Sequence, residues 1–271
     1  MHNSIQLTIN TAGESKREEL IGLLSVFDFD GFEEKDEQLL YYFTEGKVDE
    51  EELKGIINHY RLSYSRSVIL PQNWNAVWES SFAPVVVGDF CCVRADFHQS
   101  IAKTEYEIVI TPKMSFGTGH HATTYLLIEQ MAKMDFKGKR VADFGTGTGI
   151  LSILADKLGS SYVWAIDNDD WSIENAKENV ERNGCKVISI EKMDCFRSKQ
   201  KFDIILANIN KNVILTNLDG LVFGLNKGGK ILLSGLLKED EQDVLAFSTK
   251  FNLTHITTFE RENWISILFV C

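Results

Sequence analysis

The glycine-rich stretch from Arg140 to Leu151 constrains the fold of this chain more than any other segment. It reads R-V-A-D-F-G-T-G-T-G-I-L. Apolar residues at its start predict a short buried strand, and Gly145, Gly147 and Gly149 predict a tight turn. The apolar positions that follow have helical spacing, so the stretch predicts a strand, a turn and a helix in succession. Glycines in such a turn let the backbone pass close under a nucleotide-like ligand.

The next predicted strand supports a ligand-binding interpretation of this turn. The segment Y-V-W-A-I-D, from Tyr162 to Asp167, predicts a buried strand that ends in a carboxylate. In nucleotide-binding βαβ units, an acidic residue roughly 20 positions after the first glycine hydrogen-bonds the ribose hydroxyls. Asp167 has this spacing from Gly145, and we therefore predict that it binds a ribose.

Two classes of ligand could use this arrangement. A nicotinamide or flavin dinucleotide is typically bound by G-x-G-x-x-G, which brings its pyrophosphate to a helix N-terminus. This chain instead has G-x-G-x-G after Asp143, a pattern that resembles the first motif of S-adenosylmethionine-dependent methyltransferases. A carboxylate beside the turn attracts a cationic sulfonium and repels a pyrophosphate. The sequence therefore favours the methyl donor, with Asp143, Gly145, Gly147 and Gly149 as cofactor-binding candidates.

Composition and charge argue against several classes of protein. The chain has 271 residues, of which 44% are hydrophobic and 25% are charged, as in ordinary soluble globular proteins. Its formal net charge of -11 argues against broad nucleic-acid binding, and it favours a cationic partner or simply maintains solubility. Neither a signal peptide nor an apolar run of roughly 20 residues is evident. The five cysteines lack C-x-x-C spacing, so we expect a reduced, cytoplasmic protein.

The predicted elements divide the chain into a small and a large domain. Residues 1–62 have the order β-α-β-β-α, which predicts a small ferredoxin-like α+β sandwich. The run D-E-E-E at residues 49–52 marks the start of its second helix and could also bind a basic protein. Residues 63–78 read as a linker leading into a short helix with two tryptophans, and residues 79–271 form the large domain.

The large domain alternates strands and helices from residue 140 onward and ends in two strands with no helix between them. Repeated β-α units predict a parallel sheet with helices on both faces, and the last strand should be antiparallel to the others. This ending resembles the seven-stranded, Rossmann-like methyltransferase sheet, so the predicted fold class is α/β. We also expect a helix from Tyr125 to Met134 and a turn at Gly228 and Gly229.

Polar residues follow the predicted strands at the edge where open α/β sheets bind ligands. Asp194 follows the third strand and could accept a hydrogen bond from an adenine amino group, or lie in a solvated loop. Asn208 ends the fourth strand, in L-A-N-I-N. Its amide oxygen can accept an N–H bond from a neutral amine and orient it for methyl transfer, so Asn208 is the catalytic candidate.

A second glycine-rich turn, M-S-F-G-T-G-H-H-A-T-T, spans Met114 to Thr124 and leads into a predicted helix. Thr123 or Thr124 offers a hydroxyl near the helix N-terminus, where it could contact a ligand or merely cap the helix. The adjacent histidines lack H-x-x-x-H or H-x-E spacing, so we do not predict a metal site.

Four segments together resemble the bacterial ribosomal protein L11 methyltransferase family, PrmA. They lie within residues 72–236 and read N-W-N-A-V-W-E-S-S-F-A-P, F-G-T-G-H-H-A-T-T, D-F-G-T-G-T-G-I-L with A-I-D, and L-A-N-I. The resemblance implies donor contacts at Thr124, Gly145, Asp167 and Asn208. It also implies that the small domain recognises a basic ribosomal protein whose lysine and N-terminal amines are methylated. The alanine before T-T departs from the proline or acidic residue of the family pattern.

Two other interpretations remain open from the sequence. The chain could methylate nitrogen in another protein or in a small amine, because fold and motif fix the methyl donor better than the acceptor. It could also be a non-catalytic scaffold that binds the donor without turnover. The intact first motif and Asn208 argue against the scaffold, since a protein without turnover need not keep groups that position an acceptor.

Overall fold

Contacts within the chain divide it into two units, Met1–Ser80 and Ser81–Cys271. The computed structural model describes residues 3–11, 14–35, 38–69, 82–100, 103–112 and 117–271. Within these ranges no helix has the length and apolar character needed to cross a membrane. The short helix predicted in the linker, with Trp74 and Trp78, lies outside the described residues.

Within its described residues, the N-terminal unit has six elements in the order β-α-β-β-α-β. They are β1 Ser4–Asn10, α1 Glu14–Leu24, β2 Gly31–Lys35, β3 Gln38–Thr44, α2 Glu50–His59 and β4 Tyr64–Ile69. The sheet order is β2-β3-β1-β4, and each neighbouring pair is antiparallel. This arrangement confirms the ferredoxin-like fold that the sequence predicts.

The core of this unit follows from the alternation of apolar residues along its strands. Ile5, Leu7 and Ile9 of β1 are buried on the side of the sheet where the apolar residues of the two helices also pack. At the start of α2, the side chain of Asp49 accepts two backbone N–H bonds from the first turn of the helix. The acidic run is therefore a helix start, as predicted.

The prediction that residues 63–78 form a linker is wrong at its beginning. The strand β4 pairs antiparallel with β1, from Ser4 opposite Ile69 to Ile9 opposite Tyr64. None of its six residues is buried, so the strand lacks the apolar alternation that reveals a strand in a sequence. The N-terminal sheet therefore extends to Ile69.

The C-terminal unit begins with a small sheet of three strands and continues as alternating strands and helices. Its elements are β5 Val85–Val87, β6 Cys91–Ala95, β7 Tyr106–Ile110, α3 Ala122–Met131, β8 Arg140–Phe144, α4 Ile150–Lys157, β9 Tyr162–Asp167, α5 Asp170–Arg182, β10 Ile188–Lys192, β11 Phe202–Asn208, α6 Lys211–Phe223, β12 Leu225–Leu237, α7 Glu241–Ser248, β13 Thr254–Arg261 and β14 Trp264–Val270. One turn of 3-10 helix precedes α7 and another follows it.

The main sheet of this unit has seven strands in the order β10-β9-β8-β11-β12-β14-β13. The first five strands are parallel, and β14 lies antiparallel between β12 and β13. Glu262 and Asn263 join β13 to β14 and both have positive φ, as in a two-residue hairpin turn. The predicted seven-stranded methyltransferase sheet is thus confirmed.

Helices cover both faces of the main sheet. Leu206 of β11 points to the face that is covered by α3, α4 and the small sheet. Its neighbours Ile205 and Ala207 point to the opposite face, which is covered by α6 and α7. Neighbouring residues of a strand point to opposite sides of the sheet. Because helices cover both sides here, the residues on both sides are apolar, which explains the continuous apolar run of β11.

Two side-chain amides, one in α5 and one at its C-cap, satisfy the free edge of the small sheet. Asn183 accepts from the backbone N–H of Val109 at 3.0 Å and donates to the carbonyl oxygen of Val109 at 2.7 Å. Asn179, one helical turn earlier, accepts from the N–H of Thr111 at 2.8 Å and donates to the carbonyl oxygen of Thr148 at 2.8 Å. These bonds connect the edge strand β7 to the glycine-rich turn after β8.

Two predicted boundaries differ from the structure. Helix α3 begins before the predicted Tyr125, because the side chain of His121 caps it by accepting the N–H of Thr123. Gly228 and Gly229 lie within β12 instead of in a turn. Gly228 donates to the carbonyl oxygen of Cys271, and Gly229 accepts from the N–H of Cys271, so the end of the chain extends the pairing.

Candidate active site

The carboxyl ends of the parallel strands surround one cavity of about 480 Å³ in the C-terminal unit. Residues after β8, β9, β10 and β11 contribute to it, together with the starts of α3 and β14 and one glycine of β12. The lining residues are His121, Thr123, Phe144, Gly145, Gly147, Asp167, Asn168, Ser172, Met193, Asp194, Asn208, Ile209, Asn210, Val213, Gly235 and Trp264.

Two glycines allow the strand ends to approach each other closely. Gly145 and Gly235 have φ values of 77° and 84°, which favour glycine. A Cβ atom at Gly145 would collide with the side chain of Ile209, and one at Gly235 would collide with the backbone carbonyl of Ile209. The chain after β11 therefore passes between these two glycines, which brings Asn208 to the cavity.

Asp167 lies at the end of β9, half-buried in the cavity wall. Its Oδ2 accepts from the N–H of Gly147 at 2.9 Å, and its Oδ1 accepts from the N–H of Asp169 at 3.1 Å. Each carboxylate oxygen retains a further lone pair, so the group can still accept from two hydroxyls of a ligand. The position is the one predicted from the sequence, and ribose binding by Asp167 stays a prediction.

The charges around the cavity discriminate between classes of ligand. Asp194 follows β10, is exposed, and lines the same wall as Asp167. The described residues that line the cavity include these two carboxylates and no lysine or arginine. This distribution suits a cationic ligand and opposes a pyrophosphate.

Asn208 also lines the cavity, at the end of β11, with β8 between its strand and the strand of Asp167, and it is 9% exposed. Its Nδ2 donates to Oγ1 of Thr124 at 3.1 Å. Its Oδ1 is buried and has no hydrogen-bond partner among the described residues. Because a buried polar atom costs roughly 1–3 kcal/mol when it stays unpaired, this oxygen fits as an acceptor for a ligand N–H group.

Asp143 requires a correction to its predicted role. The residue is fully buried behind the glycine-rich turn and does not line the cavity. Its Oδ2 accepts from the hydroxyls of Ser152 at 2.6 Å and Thr146 at 2.7 Å. Burial raises the pKa of Asp143 to about 6, while these two bonds lower it and the charge of Asp167 raises it. The carboxylate therefore orders the turn, and the structure does not support direct contact with a donor.

Gly149 and Thr124, two further predicted contacts, also lie away from the cavity wall. Gly149 is the N-cap of α4, and a Cβ atom there would lie 3.3 Å from Cβ of Ala176, so it permits close packing of α4 and α5. Thr124 is fully buried in the first turn of α3 and contacts Asn208. In contrast, Gly145 does line the cavity, as does the next glycine of the motif.

Two aromatic side chains that line the same cavity as Asn208 were not among the predicted site residues. The rings of His121 and Trp264 meet edge to face, with centroids 4.6 Å apart. Trp264 is the first residue of β14. Because this strand is antiparallel to its neighbour β12, its start lies at the same edge as the ends of the parallel strands. The hairpin signal in the sequence, combined with the strand order, is therefore what could have identified Trp264.

The adjacent histidines point to different surroundings. His120 has its Nε2 atom 2.8 Å from the carbonyl oxygen of Ala83 and its Nδ1 atom 3.1 Å from Oγ1 of Thr118. The Nδ1 atom of His121 lies 2.7 Å from Oγ1 of Thr123. In the parts of the chain that the structure describes, no three histidine, cysteine or acidic side chains gather as metal ligands.

Comparison with known proteins places this geometry in a family. The family model described as ribosomal protein L11 methyltransferase (PrmA) matches residues 7–270. The chain belongs to this family. A PrmA relative from Phocaeicola vulgatus is 34% identical over 274 residues, which cover 98% of both chains. A relative from Porphyromonas gingivalis is 36% identical over 276 residues, covering 99% of this chain and 94% of the relative.

A solved structure of a ribosomal protein L11 methylase shares the fold over a large part of this chain. The crystal structure of ribosomal protein L11 methylase from Lactobacillus delbrueckii subsp. bulgaricus superposes with a TM-score of 0.65 and 28% sequence identity. The superposition covers 69% of this chain and 98% of that chain. Family and fold together place the chain among the S-adenosylmethionine-dependent methyltransferases.

Proposed function

We propose that this chain transfers methyl groups from S-adenosylmethionine to amine nitrogens of ribosomal protein L11, namely lysine side chains and the N-terminal amine. The observation that carries this proposal is the buried, unpaired Oδ1 of Asn208 in a cavity with two carboxylates and no lysine or arginine among its described lining residues. The substrate is inferred from the names of the relatives, and the type of reaction is inferred from the residues of the cavity.

The residues of the cavity suit the methyl donor. S-Adenosylmethionine supplies an electrophilic methyl group on a sulfonium centre attached to adenosine. Asp167 would accept from the ribose hydroxyls, and Asp194 would accept from the adenine amino group. The backbone at Gly145 and Gly147 would form the floor of the donor site. Two negative charges nearby favour a cation in this position.

Asn208 would position the acceptor amine. A lysine amine has a reference pKa near 10.4, so at neutral pH it is protonated and has no free lone pair. After the proton has left to solvent, Oδ1 of Asn208 accepts an N–H bond from the neutral amine and fixes the direction of its lone pair. Asn208 therefore orients the acceptor without acting as a base.

Trp264 and His121 would form the apolar side of the acceptor site. Their rings meet edge to face and give the cavity that Asn208 lines an aromatic surface. The methylene chain of a lysine packs well on such a surface while its amine reaches a polar group at the end. This arrangement suits a long, flexible acceptor chain better than a bulky one.

The N-terminal unit would recognise the protein substrate. Its helix α2 begins with carboxylates, of which Glu51 and Glu52 are exposed. A basic ribosomal protein complements such a surface, because opposite charges favour encounter and orientation. We assign β1 to β4, up to Ile69, to this recognition domain.

The test is transfer of a labelled methyl group from S-adenosylmethionine to purified ribosomal protein L11, with isothermal titration of the donor in parallel. We expect label on L11 in the wild type and its loss in Asn208→Ala. Label that appears only on other proteins or on small amines would identify a different N-methyltransferase. Donor binding without transfer to any acceptor would identify a scaffold. Either of these results contradicts the proposal.

A further inference from the structure

A second cavity, of about 560 Å³, lies toward the opposite end of α6 from the candidate active site. Asn210 and Val213, at the start of this helix, line the active-site cavity, whereas the last turns of the helix line the second one. The described lining of the second cavity consists of Phe196, Arg197, Ser198, Lys199, Asp219, Gly220 and Phe223. The described linings of the two cavities have no residue in common.

The segment Arg197–Lys201, here called the basic loop, carries unpaired positive charge beside this cavity. It reads R-S-K-Q-K, and its arginine and two lysines are exposed. None of these three cations lies within ion-pair distance of a described carboxylate. In contrast, Lys192 and Lys211, the nearest cations before and after the loop, each pair with an aspartate. The positive charge of the loop is therefore available to an anionic partner.

The basic loop is attached to the rest of the unit at both ends. Before it, the backbone N–H of the buried Phe196 donates to Oδ1 of Asn217 in α6 at 2.8 Å. At its end, the carbonyl oxygen of Lys201 accepts from Nε of Arg140 at 3.3 Å. Because these contacts already order the loop, a ligand that binds it pays less conformational entropy.

An exposed aromatic ring lies next to these cations. Phe223 ends α6 and is 67% exposed, although phenylalanine is among the residues most often buried. Nζ of Lys201 lies 4.2 Å from the centroid of this ring and donates to the carbonyl oxygen of Phe223. The ammonium group keeps two further N–H donors for an anion. The ring offers a surface on which a nucleic-acid base can stack.

The carboxylate of Asp219 distinguishes between anionic partners. It lines the same cavity, and its Oδ1 accepts from the backbone N–H of Gly220 at 2.7 Å. An acidic peptide would bring further carboxylates, which this group repels. A nucleotide of RNA instead combines a phosphate for the cations, a base for the ring and a 2′-hydroxyl that can donate to a carboxylate.

We propose that the second cavity and the basic loop bind a short segment of single-stranded RNA. A base stacks on Phe223, the phosphates contact the three cations of the loop, and Asp219 accepts from a ribose 2′-hydroxyl. The net charge of -11 opposes extended binding, so the site is short and local. The inference goes beyond the proposed function, because neither S-adenosylmethionine nor L11 takes part in it.

The first experiment measures the binding of a fluorescein-labelled single-stranded RNA to the full chain by fluorescence anisotropy. With an oligonucleotide of about 12 nucleotides, we expect a micromolar Kd at about 50 mM salt. Three phosphate contacts predict a slope of about -2 for log K against log salt, so the affinity should fall roughly 20-fold between about 50 and 200 mM. DNA of the same sequence should bind at least about threefold more weakly, because it lacks the 2′-hydroxyl.

The second experiment removes the charge of the basic loop in the triple variant Arg197→Gln, Lys199→Gln, Lys201→Gln. The affinity for RNA should fall at least about 20-fold at low salt, and the salt dependence should nearly vanish. The control lowers the net charge equally at exposed ion pairs elsewhere, in the triple variant Lys47→Gln, Lys54→Gln, Lys238→Gln. It should keep the wild-type affinity within about threefold, because its cations lie outside the site.

The third experiment removes the aromatic surface. Phe223→Ala should lower the affinity for RNA roughly 5- to 150-fold, the range expected for the loss of one stacked base. Trp171→Ala is the control, because Trp171 is 73% exposed in α5 and lines neither cavity. It should bind RNA as the wild type does. Thermal unfolding checks that every variant is folded under the assay conditions.

NMR spectra locate the site on the wild type without any substitution. Addition of the RNA should shift the backbone amide signals of the basic loop and of the last turn of α6. Shifts confined to another surface would contradict the placement. Because these measurements contain neither L11 nor S-adenosylmethionine, their failure leaves the proposed function unaffected.

Four other results would overturn the inference. One is the absence of saturable RNA binding at low salt. Another is an equal loss of affinity in the loop variant and its charge-matched control, which would indicate an effect of net charge alone. The third is a wild-type affinity in Phe223→Ala or equal affinity for RNA and DNA. The fourth is displacement of the RNA by polyglutamate as readily as by unlabelled RNA, which would identify an acidic protein as the partner.

Discussion

The two walls of the cavity are assembled in different ways. We name the two walls after their proposed roles. The donor wall consists of Asp167 and Asn168 after β9 and Asp194 after β10, on neighbouring strands that are consecutive in the sequence. The acceptor wall consists of Asn208 at the end of β11, His121 at the start of α3 and Trp264 at the start of β14. The donor wall is built from residues that are close together in the sequence, whereas the acceptor wall joins segments that are far apart in the C-terminal unit.

The walls also differ in charge. The donor wall carries two carboxylates, whereas the acceptor wall presents an amide and two aromatic rings. Binding of a cationic donor should therefore depend on the first wall, and orientation of a neutral amine on the second. Substitutions on the two walls should separate donor affinity from turnover.

The largest effect is expected for Asp167→Ala on the donor wall. A hydrogen bond to a charged group contributes about 1.5–3 kcal/mol, so loss of two lowers donor affinity by roughly 100- to 10,000-fold. Isothermal titration with S-adenosylmethionine measures this directly. Asp170→Ala is the control, because Asp170 is an exposed carboxylate nearby that does not line the cavity. Equal affinities in wild type and Asp167→Ala would remove Asp167 from the donor site.

On the acceptor wall, Asn208→Ala should lower kcat by about 100-fold, because the amine loses the acceptor that orients it. Donor affinity should change by less than about threefold, since the proposed hydrogen bonds to the donor lie on the other wall. Asn212→Ala is the control, because Asn212 is an exposed amide in α6 that does not line the cavity. A parallel loss of donor affinity in Asn208→Ala would mean that the two walls do not act separately.

The next prediction concerns the buried carboxylate of Asp143, whose charge we expect to affect the stability of the fold. Its pKa is raised from 3.8 to about 6 by burial. Between about pH 4 and pH 6 the unfolded chain releases this proton and the folded protein retains it, so stability falls as pH rises through this range. Above about pH 6 the loss is complete and amounts to roughly 3 kcal/mol.

The measurement is the difference in free energy of unfolding between the wild type and Asp143→Asn as a function of pH. The neutral amide does not titrate, so the difference should move in favour of the variant by on the order of 3 kcal/mol between about pH 4 and pH 6. A level curve for Asp143→Asn would show that this carboxyl titrates normally in the folded protein.

The contrast between the walls explains which parts of the site the sequence reveals. Asp167 is separated from the glycine-rich turn by a single helix, so a local motif identifies it. Asn208 could be predicted because it ends a strongly apolar strand. Trp264 and His121 meet where β14 lies between β12 and β13, and the hairpin signal in the sequence does not place Trp264 in the site unless the strand order is also known.

The direction of a side chain was harder to predict than its position in the chain. Asp143 and Thr124 belong to recognisable motifs, but their side chains point away from the cavity, into buried hydrogen bonds. The overall fold was easier, because apolar periodicity marks most elements. Strand β4 escaped prediction because none of its side chains is buried, so pairing alone defines it.

The smallest effect is expected for Arg261, which supports the acceptor wall from outside. Arg261 ends β13, just before the hairpin turn that leads to Trp264. Its guanidinium carbon lies 3.8 Å from the ring centroid of Tyr125 in α3. A cation–π contact at an exposed site contributes about 0.5–1 kcal/mol. Arg261→Ala should therefore raise the KM for L11 by roughly two- to fivefold, because the hairpin holds Trp264 less firmly.

Lys133→Ala provides the control, because Lys133 contacts the same hairpin at another place. Its Nζ atom lies 4.3 Å from the ring centroid of Phe259, which is farther from Trp264 along the hairpin than Arg261 is. Steady-state kinetics on L11 should show a wild-type KM in Lys133→Ala and no change in donor affinity in either variant. Equal increases of KM in the two variants would mean that the attachment of the whole hairpin matters, and not the placement of Trp264. An unchanged KM in Arg261→Ala would show that the ring of His121 suffices to hold Trp264 in the acceptor wall.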